Sequence, residues 1–291
     1  MDQAEQLRNI IKAGSQQRSL ARVITVTSGK GGVGKSNTAI NLAIQFRKMN
    51  QRVIILDADF GLANIEIMFG AVPKHNLCDL IYQGKNIKEI ITWGPMDVGF
   101  ISGGSGIAGM SNLSRGYLSY IVQNLSELDS IADIIIVDTG AGISDAVLEF
   151  LVASGEILLV TTPEPTSITD SYSLLKALGR HPRFSVDNAQ IKVIANKIEK
   201  EEEGHILFNK LNAVVSRYLK IPFSYLGAVP QDNQLAKAVM QQMPVSLHNP
   251  SAKASLAYEA IAAKLMDREN VVRKRGMAAF FSHMINGKKM G

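Results

Sequence analysis

The stretch Gly29-Lys30-Gly31-Gly32-Val33-Gly34-Lys35-Ser36 follows a β-branched run and precedes a segment with helical spacing. It matches the pattern G-x-x-x-x-G-K-[ST] in the strand, loop and helix context that the pattern requires. Its glycines allow backbone N–H groups to curl around an anion, and the start of the helix adds partial positive charge. Lys35 is expected to reach the β- and γ-phosphates of a nucleotide, and Ser36 to offer a hydroxyl to magnesium. The sequence therefore predicts a phosphate-binding loop rather than a plain glycine-rich turn.

Further apolar runs alternate with stretches that suit helices. Together with the run before the loop, they lie at residues 23–27, 53–56, 98–102, 134–137, 157–160, 192–195 and 225–229. Strands that are apolar along their whole length are those covered by helices on both faces. We therefore predict a single-domain α/β P-loop NTPase fold over residues 22–268, with a mostly parallel central sheet and helices on both faces.

Composition excludes several classes of protein. The single cysteine, Cys78, cannot build a disulfide framework or hold an iron–sulfur cluster within one chain. The N-terminus lacks the apolar region of a signal peptide, and no run of 18 apolar residues occurs. A cytoplasmic protein is therefore expected. Five histidines lack metal-ligand spacing and are interpreted as structural or surface residues: His75, His181, His205, His248 and His283.

Aspartates close two of the apolar runs. Asp57 and Asp59 follow the run at 53–56, and Asp138 follows the run at 134–137. The ligand site of an open parallel sheet lies outside the carboxyl ends of its strands, where Asp138 could hold magnesium through water. Each aspartate alone could be an ordinary loop residue, but together with the loop they predict a nucleotide site. Phosphoryl transfer depends mainly on positioning and charge, so slow intrinsic turnover is expected without a strong base.

The second lysine of the loop, Lys30, is a departure from an ordinary phosphate loop, because it would repel Lys35 unless an anion is near. The stretch from Lys30 to Ser36 resembles the signature of the MinD/ParA family of deviant Walker ATPases. The resemblance implies ATP and Mg as cofactors and an ATP-sandwich homodimer, in which Lys30 reaches the phosphates of the partner subunit. Lys30 would then act as an arginine finger does, so that hydrolysis depends on dimerisation. A solvent-exposed loop lysine is the alternative.

The same resemblance assigns roles to the other site residues. Lys30, Lys35 and Asp59 are the implied catalytic residues, with Asp59 orienting the attacking water. Ser36, Asp57 and Asp138 are the implied magnesium residues. The implied ATP-binding set is the loop and four further residues: Gly29, Lys30, Gly31, Gly32, Val33, Gly34, Lys35, Ser36, Asn37, Asn196, Pro230 and Asp232. Adenine is favoured over guanine, since a side-chain amide can both donate to and accept from that base. A turn-forming asparagine explains Asn196 equally well.

Near the C-terminus, five apolar residues fall on one helical face. They are Met277, Phe280, Phe281, Met284 and Ile285, and cations flank them at 273–275 and 288–289. Such a helix could lie on an anionic membrane surface or dock on the core as an ordinary final helix, and the pattern alone favours neither. Resemblance to MinD-like proteins favours a membrane-targeting segment at 269–291. The protein would then be peripheral at the inner face of the cell membrane when ATP-bound.

At the N-terminus, Asp2-Gln3-Ala4-Glu5-Gln6-Leu7-Arg8 resembles the D-Q-A-x-x-L-R motif of the FlhG (FleN, YlxH) family, MinD-like regulators of flagellar number and placement. The resemblance implies that Asp2, Gln3, Ala4, Leu7 and Arg8 bind an FlhF-type GTPase and stimulate it. Flagellar switch (C-ring) proteins are further candidate partners. The residues alone predict only a short polar helix and a flexible linker over 1–21, or a disordered tail.

Other functions share the phosphate loop. A ParA/Soj-type DNA-segregation ATPase or another MinD-like cell-positioning ATPase is the main alternative, and an enzymatically silent nucleotide-dependent scaffold is another. Nucleic acid is not an expected partner, because DNA segregation requires neither the apolar face at 277–285 nor the N-terminal motif. The reductase of a nitrogenase-like system would need two cysteines per subunit.

Overall fold

The computed structural model describes residues 20–59, 64–103, 124–267 and 276–286. In these residues one sheet has the strand order β3-β4-β2-β5-β1-β6-β7-β8. Its strands are β1 (Arg22–Ser28), β2 (Val53–Ala58), β3 (Thr92–Trp93), β4 (Gly99–Ser102), β5 (Ile134–Ala141), β6 (Glu156–Thr161), β7 (Gln190–Ile198) and β8 (Phe223–Pro230). Neighbouring strands are parallel except β3 and β4.

Helices cover both faces of this sheet. They are α1 (Lys35–Lys48), α2 (Asn64–Phe69), α3 (Leu77–Tyr82), α4 (Ile87–Ile90), α5 (Leu128–Ile131), α6 (Asp145–Ala153), α7 (Pro165–Arg180), α8 (Glu201–Tyr218), α9 (Asn233–Met240), α10 (Val245–His248), α11 (Lys253–Asp267) and α12 (Gly276–Asn286). Short 3₁₀ turns lie at Pro95–Asp97 and Val186–Asn188.

The central strands β1, β2 and β6 are buried along their whole length, and β5 along its first six residues, because alternate side chains enter different cores. In β5, Ile136 packs into the cluster that contains residues of α1 and α11, whereas Val137 packs into a cluster on the opposite face. This two-sided burial is what continuous apolar runs require. The predicted α/β fold with a mostly parallel sheet is therefore confirmed, and each predicted apolar run lies in a parallel strand.

The sequence did not predict β3, because a strand of two residues is too short to produce a periodic pattern. Its Trp93 is 54% exposed, which an apolar-run criterion also misses. β3 pairs antiparallel with β4 at one edge of the sheet.

The topology defines where a ligand can bind. β1 lies between β5 and β6. Strands β2 to β5 lie on one side of β1, and strands β6 to β8 lie on the other side. Ligands of open α/β sheets bind outside the carboxyl ends of the strands at such a switch point. The loop at 29–34 leaves β1 there.

Candidate functional site

The phosphate loop joins β1 to α1, and α1 begins at Lys35. Gly34, which precedes α1, has φ +93°, a left-handed conformation that favours glycine. A Cβ at this position would also collide with the side-chain amide of Asn196. The glycine required by the sequence pattern is thus required by both backbone conformation and a neighbouring side chain.

Lys35 points into a buried corner beside β5. Its Nζ donates to Asp138 Oδ1 at 2.8 Å, and both side chains are almost completely buried. Burial raises the pKa of Asp138, and this effect outweighs the opposing influence of the Lys35 ammonium. The Ser36 side chain lies close enough to the Asp138 carboxylate to favour its charged form and so to lower its pKa. The structure therefore brings together three residues that the sequence analysis assigned to phosphate and magnesium.

Asp57 faces this group from the neighbouring strand. It is the register partner of Asp138 in the β2–β5 pairing. Burial, and next the charge of Asp138, raises the pKa of Asp57 to about 7. Among the described residues, Asp57 Oδ2 and Asp138 Oδ2 are buried oxygens without a hydrogen-bond partner. Buried carboxylates need a cation or donor to offset their desolvation, so these orphaned oxygens fit a divalent metal.

This donor set suits magnesium better than a transition metal. Within the described ranges, no group of three His, Cys, Asp or Glu side chains is arranged to hold a metal ion. Magnesium is held in nucleotide sites by one or two carboxylates together with phosphate oxygens and water. Asp57, Asp138 and the hydroxyl of Ser36 match that need.

Asp59 lies at the rim of the same corner. Its backbone N–H donates to Asp57 Oδ1 at 3.1 Å, and its Oδ2 accepts from Asn64 Nδ2 at 3.4 Å. The charge of Asp59 contributes to the raised pKa of Asp138, although burial contributes more. Its carboxylate is therefore close to the proposed metal residues, as its predicted role in orienting water requires. Residues 60–63, which follow Asp59 in the sequence, are outside the described residues.

Lys30 extends away from Lys35 and pairs with the segment that follows β6. Its Nζ donates to Glu164 Oε2 at 2.8 Å and to Thr166 Oγ1 at 2.9 Å. The hydrogen bond and charge of Lys30 lower the pKa of Glu164. The pair is exposed, with 37% of the Lys30 side chain and 57% of the Glu164 side chain accessible. Glu164 of the same chain thus neutralises the second loop lysine, Lys30, at the surface of the molecule.

The stretch 162–166 resembles a MinD/ParA family segment near the dimer interface, although a loop with two prolines needs no function to explain it, and neither Glu164 nor Thr166 was predicted to bind Lys30. One signal could have identified them, since Glu164 follows a central strand and therefore belongs to the same sheet edge as the phosphate loop. Lys197 is a further residue that was not predicted to belong to the site, and its Nζ donates to the Gly32 carbonyl at 2.8 Å.

At the expected adenine end, the side chains already have protein partners. Asn196 is 5% exposed and donates from Nδ2 to the Val33 carbonyl at 2.7 Å. Asp232 caps α9 by accepting from Gln234 N at 2.8 Å, and its other oxygen accepts from Ala254 N at 3.0 Å. Pro230 ends β8 beside them. These contacts give both polar side chains a structural role, and their contact with adenine stays a prediction.

The C-terminal helix α12 docks on the domain. Its Met277, Phe280 and Phe281 are at most 2% exposed and share a core cluster with Phe150 of α6. The rings of Phe150 and Phe280 have centroids 6.0 Å apart. Met284 and Ile285 lie on the same helix, but their side chains are outside the described set. Membrane binding by this face would therefore require α12 to leave its docking site.

Two other observations concern the termini and the membrane. The N-terminal residues Asp2, Gln3, Ala4, Leu7 and Arg8 lie outside the described residues. Of the helices that the structure describes, none combines the length and apolarity needed to span a bilayer.

Comparisons with known proteins cover most of the chain. The family model ParA, described as NUBPL iron-transfer P-loop NTPase, matches residues 19–266. Antiactivator FleN of Pseudomonas aeruginosa is 39% identical over 260 residues, which are 89% of this chain and 91% of that protein. Flagellum site-determining protein YlxH of Helicobacter pylori is 30% identical over 295 residues, or 98% of each chain. Septum site-determining protein MinD of Pyrococcus horikoshii, solved as a complex with Mg-ADP, has a TM-score of 0.66 at 19% identity and covers 88% of this chain and 100% of that one.

Proposed function

Since the chain belongs to the ParA/MinD family of P-loop NTPases, we propose that it is a magnesium-dependent ATPase that regulates the number and placement of flagella. Its ATP-bound form would be a homodimer at the membrane surface, and its ATP-free form a monomer in the cytoplasm. It concerns the chemistry of the site, the dimer, the partners and the membrane.

For the chemistry, ATP phosphates would occupy the loop at 29–36, with Lys35 against the β- and γ-phosphates. Ser36, Asp57 and Asp138 would hold the magnesium ion, which supplies positive charge to the phosphate oxygens when bound. The orphaned oxygens of Asp57 and Asp138 support this assignment. Asp59, at the rim of the same corner, would orient the attacking water. Such a site lowers the barrier by positioning and charge stabilisation.

For the dimer, the observation that carries the proposal is the exposed position of Lys30. Its ammonium is bound to Glu164 and Thr166 rather than directed into the corner that holds Lys35 and Asp138. An exposed ion pair contributes little to stability, so a phosphate anion of a second subunit could replace Glu164. Lys30 would then stabilise the charge that develops on the partner's transferred phosphoryl group.

For the partners, the support comes from the relatives. FleN is named an antiactivator and YlxH a flagellum site-determining protein, and both match nearly the whole chain. We infer a flagellar role here from these names and from the N-terminal motif. Asp2, Gln3, Ala4, Leu7 and Arg8 would bind and stimulate an FlhF-type GTPase, and flagellar switch proteins would be further partners.

For the membrane, α12 would bind anionic lipid with Met277, Phe280, Phe281, Met284 and Ile285 after it undocks. The buried position of the first three side chains provides a reason for ATP dependence. Dimerisation would have to shift α12 from a docked to a free state, since a ligand changes such an equilibrium only by its differential affinity for the two states.

Phosphate release as a function of protein concentration tests the proposal. The activity per subunit is expected to rise with protein concentration, because each site needs a second subunit. Asp59→Ala is expected to bind ATP and to release phosphate at no more than a background rate. Activity per subunit that is independent of concentration would rule out dimer-dependent hydrolysis, and equal rates for wild type and Asp59→Ala would remove Asp59 from its role.

A further inference from the structure

Four side chains hold carbonyl oxygens of the phosphate loop. The Lys30, Gly32, Val33 and Gly34 carbonyls accept from Ser28 Oγ at 2.9 Å, Lys197 Nζ at 2.8 Å, Asn196 Nδ2 at 2.7 Å and Thr38 Oγ1 at 2.9 Å, respectively. In a trans peptide the C=O and N–H groups point in opposite directions. Restraining these carbonyls therefore fixes the direction of the N–H groups that bind an anion.

Three of these donors belong to ordinary parts of the loop and sheet. Ser28 ends β1, Thr38 lies in the first turns of α1, and Asn196 is buried near the end of β7. Lys197 is different, because its side chain is exposed and reaches the loop from outside. Its ammonium is the only charged donor among the four.

The backbone at Lys197 is also unusual. Its φ is +57°, a left-handed conformation that residues other than glycine rarely adopt. The β7–β8 register shifts between Asn196 and Ile198, on either side of this residue. Strain of this kind persists where the surroundings require it, and it is concentrated at functional sites. Here the conformation accompanies a direct contact between the Lys197 ammonium and the phosphate loop.

Lys197 also lies near Glu164, the carboxylate that pairs with Lys30. Its charge helps to lower the pKa of Glu164, although the hydrogen bond and charge of Lys30 contribute more. Lys197 therefore lies near both the Gly32 peptide and the carboxylate that binds Lys30. Nothing in the sequence pattern of the loop indicates this position.

We propose that Lys197 is a positioning residue for nucleotide binding, which holds the Gly32 peptide so that the loop is arranged for phosphate before the nucleotide arrives. The inference rests on the proposed function, because it assumes that this loop binds ATP and ADP. A prearranged loop saves the ordering cost that binding would otherwise incur. Since the contact is to the loop and not to the base, it should strengthen binding of adenine and guanine nucleotides by the same factor.

The test measures Mg-ADP and Mg-GDP affinities and steady-state hydrolysis for wild type and Lys197→Met. Binding of Mg-ADP by wild type comes first, and its failure would overturn the proposed function rather than the role of Lys197. Lys197→Met is expected to weaken both diphosphates about tenfold, since hydrogen bonds from charged groups contribute strongly. The KM for ATP should rise by a similar factor, and kcat at saturating ATP should change little.

Three further variants distinguish the role from general effects. Lys197→Arg, which keeps a cationic donor, is expected to recover most of the affinity. Lys197→Gly removes the donor but suits a left-handed backbone, so it should bind as weakly as Lys197→Met even if the methionine variant folds poorly. Lys210→Met removes one exposed charge from α8 and should bind like wild type.

Several results would overturn the proposal. Loss of ADP affinity without loss of GDP affinity would make Lys197 a base contact. If Lys197→Met bound the diphosphates as tightly as wild type, Lys197 would have no positioning role. The same would follow if Lys210→Met lost as much affinity as Lys197→Met. A fall in kcat at unchanged KM would assign it to the reaction step instead.

Discussion

Two carboxylates of the same chain neutralise the two lysines of the phosphate loop. Lys35 pairs with Asp138 in a buried corner, and Lys30 pairs with Glu164 at the surface. The buried pair would be costly to break without a replacement, because an unpaired charge would remain inside the protein. The exposed pair can be exchanged for another anion at little cost. This difference in burial supports the proposed roles, which are a fixed one for Lys35 and a transferable one for Lys30.

The buried carboxylates predict a pH-dependent stability. The folded-state pKa of Asp57, about 7, is above its ordinary value of 3.8. The folded state therefore holds this proton more tightly than the unfolded state, and stability is lost as pH rises from about 4 to about 7. Asp57→Asn removes this loss. In the nucleotide-free protein it should stabilise by about 2.5 kcal/mol more at pH 8 than at pH 5.

Denaturant unfolding of wild type and Asp57→Asn at the two pH values checks this expectation. Asp187→Asn, at an exposed carboxylate, is the matched control for the removal of one negative charge. A stabilisation by Asp57→Asn of the same size at pH 5 and pH 8 would contradict the assignment of a raised pKa to Asp57.

Residues at the site differ in how far the sequence predicts their positions. Asp57 and Asp138 were predictable, because the ends of adjacent parallel strands meet at one edge and the register pairs these two residues. The partner of Lys30 was not, since an exposed contact between two loops depends on tertiary geometry. The left-handed backbone of Lys197 also has no sequence signal, because such conformations are marked by glycine or asparagine and not by lysine.

The position of helix α12 determines whether its apolar face packs on the core or is available to a membrane. Full burial of a large apolar side chain contributes about 1.5–3 kcal/mol, and α12 buries Met277, Phe280 and Phe281. Its sequence predicts an apolar face but not what covers it, since a core and a bilayer surface require the same pattern. The strands were easier to predict, because two-sided burial produces continuous apolar runs.

The start of α12 is held by a specific contact. Gly276 has φ +69°, and a Cβ there would lie 2.6 Å from Asp129 Oδ2 and 2.9 Å from Leu20 Cδ2. Asp129 Oδ1 accepts from Met277 N at 2.9 Å. Gly276→Ala is therefore expected to weaken docking of α12 by a left-handed backbone cost of about 1–2 kcal/mol and by displacing Asp129.

Hydrogen exchange followed by mass spectrometry measures the effect. Amides of 277–286 should exchange several times faster in Gly276→Ala, whereas those of α1 should be unchanged. Gly84→Ala is the control, because Gly84 has a similar φ of +68° but no atom within 4 Å of the added Cβ. It should leave exchange in 277–286 at the wild-type rate. Unchanged protection of α12 in Gly276→Ala would show that this contact does not hold the helix.

Across the whole molecule, α6 connects the nucleotide corner to the C-terminal helix. It begins a few residues after Asp138 and β5, and its Phe150 packs against Phe280 of α12. Through these contacts α6 packs against both β5, which carries Asp138, and α12. At the amino-terminal end of β1, Asp129 accepts from both Ala21 N and Met277 N, so the start of β1 and the start of α12 share one carboxylate.

In the proposed dimer, Lys30 serves the nucleotide of a second subunit. A mixture of two inactive variants, Lys30→Ala and Asp59→Ala, tests it directly. In a mixed dimer the Lys30→Ala subunit keeps its own Asp59 and would receive Lys30 from its partner, so one of the two sites is complete. The other site lacks both groups and stays inactive.

The measurement is phosphate release by each variant alone and by an equal mixture at the same total protein concentration. With random pairing, half of the dimers are mixed and each has one complete site, so we predict about a quarter of the wild-type activity in the mixture and almost none in either variant alone. A mixture as inactive as its components would contradict the account, because it would mean that Lys30 acts only within its own subunit.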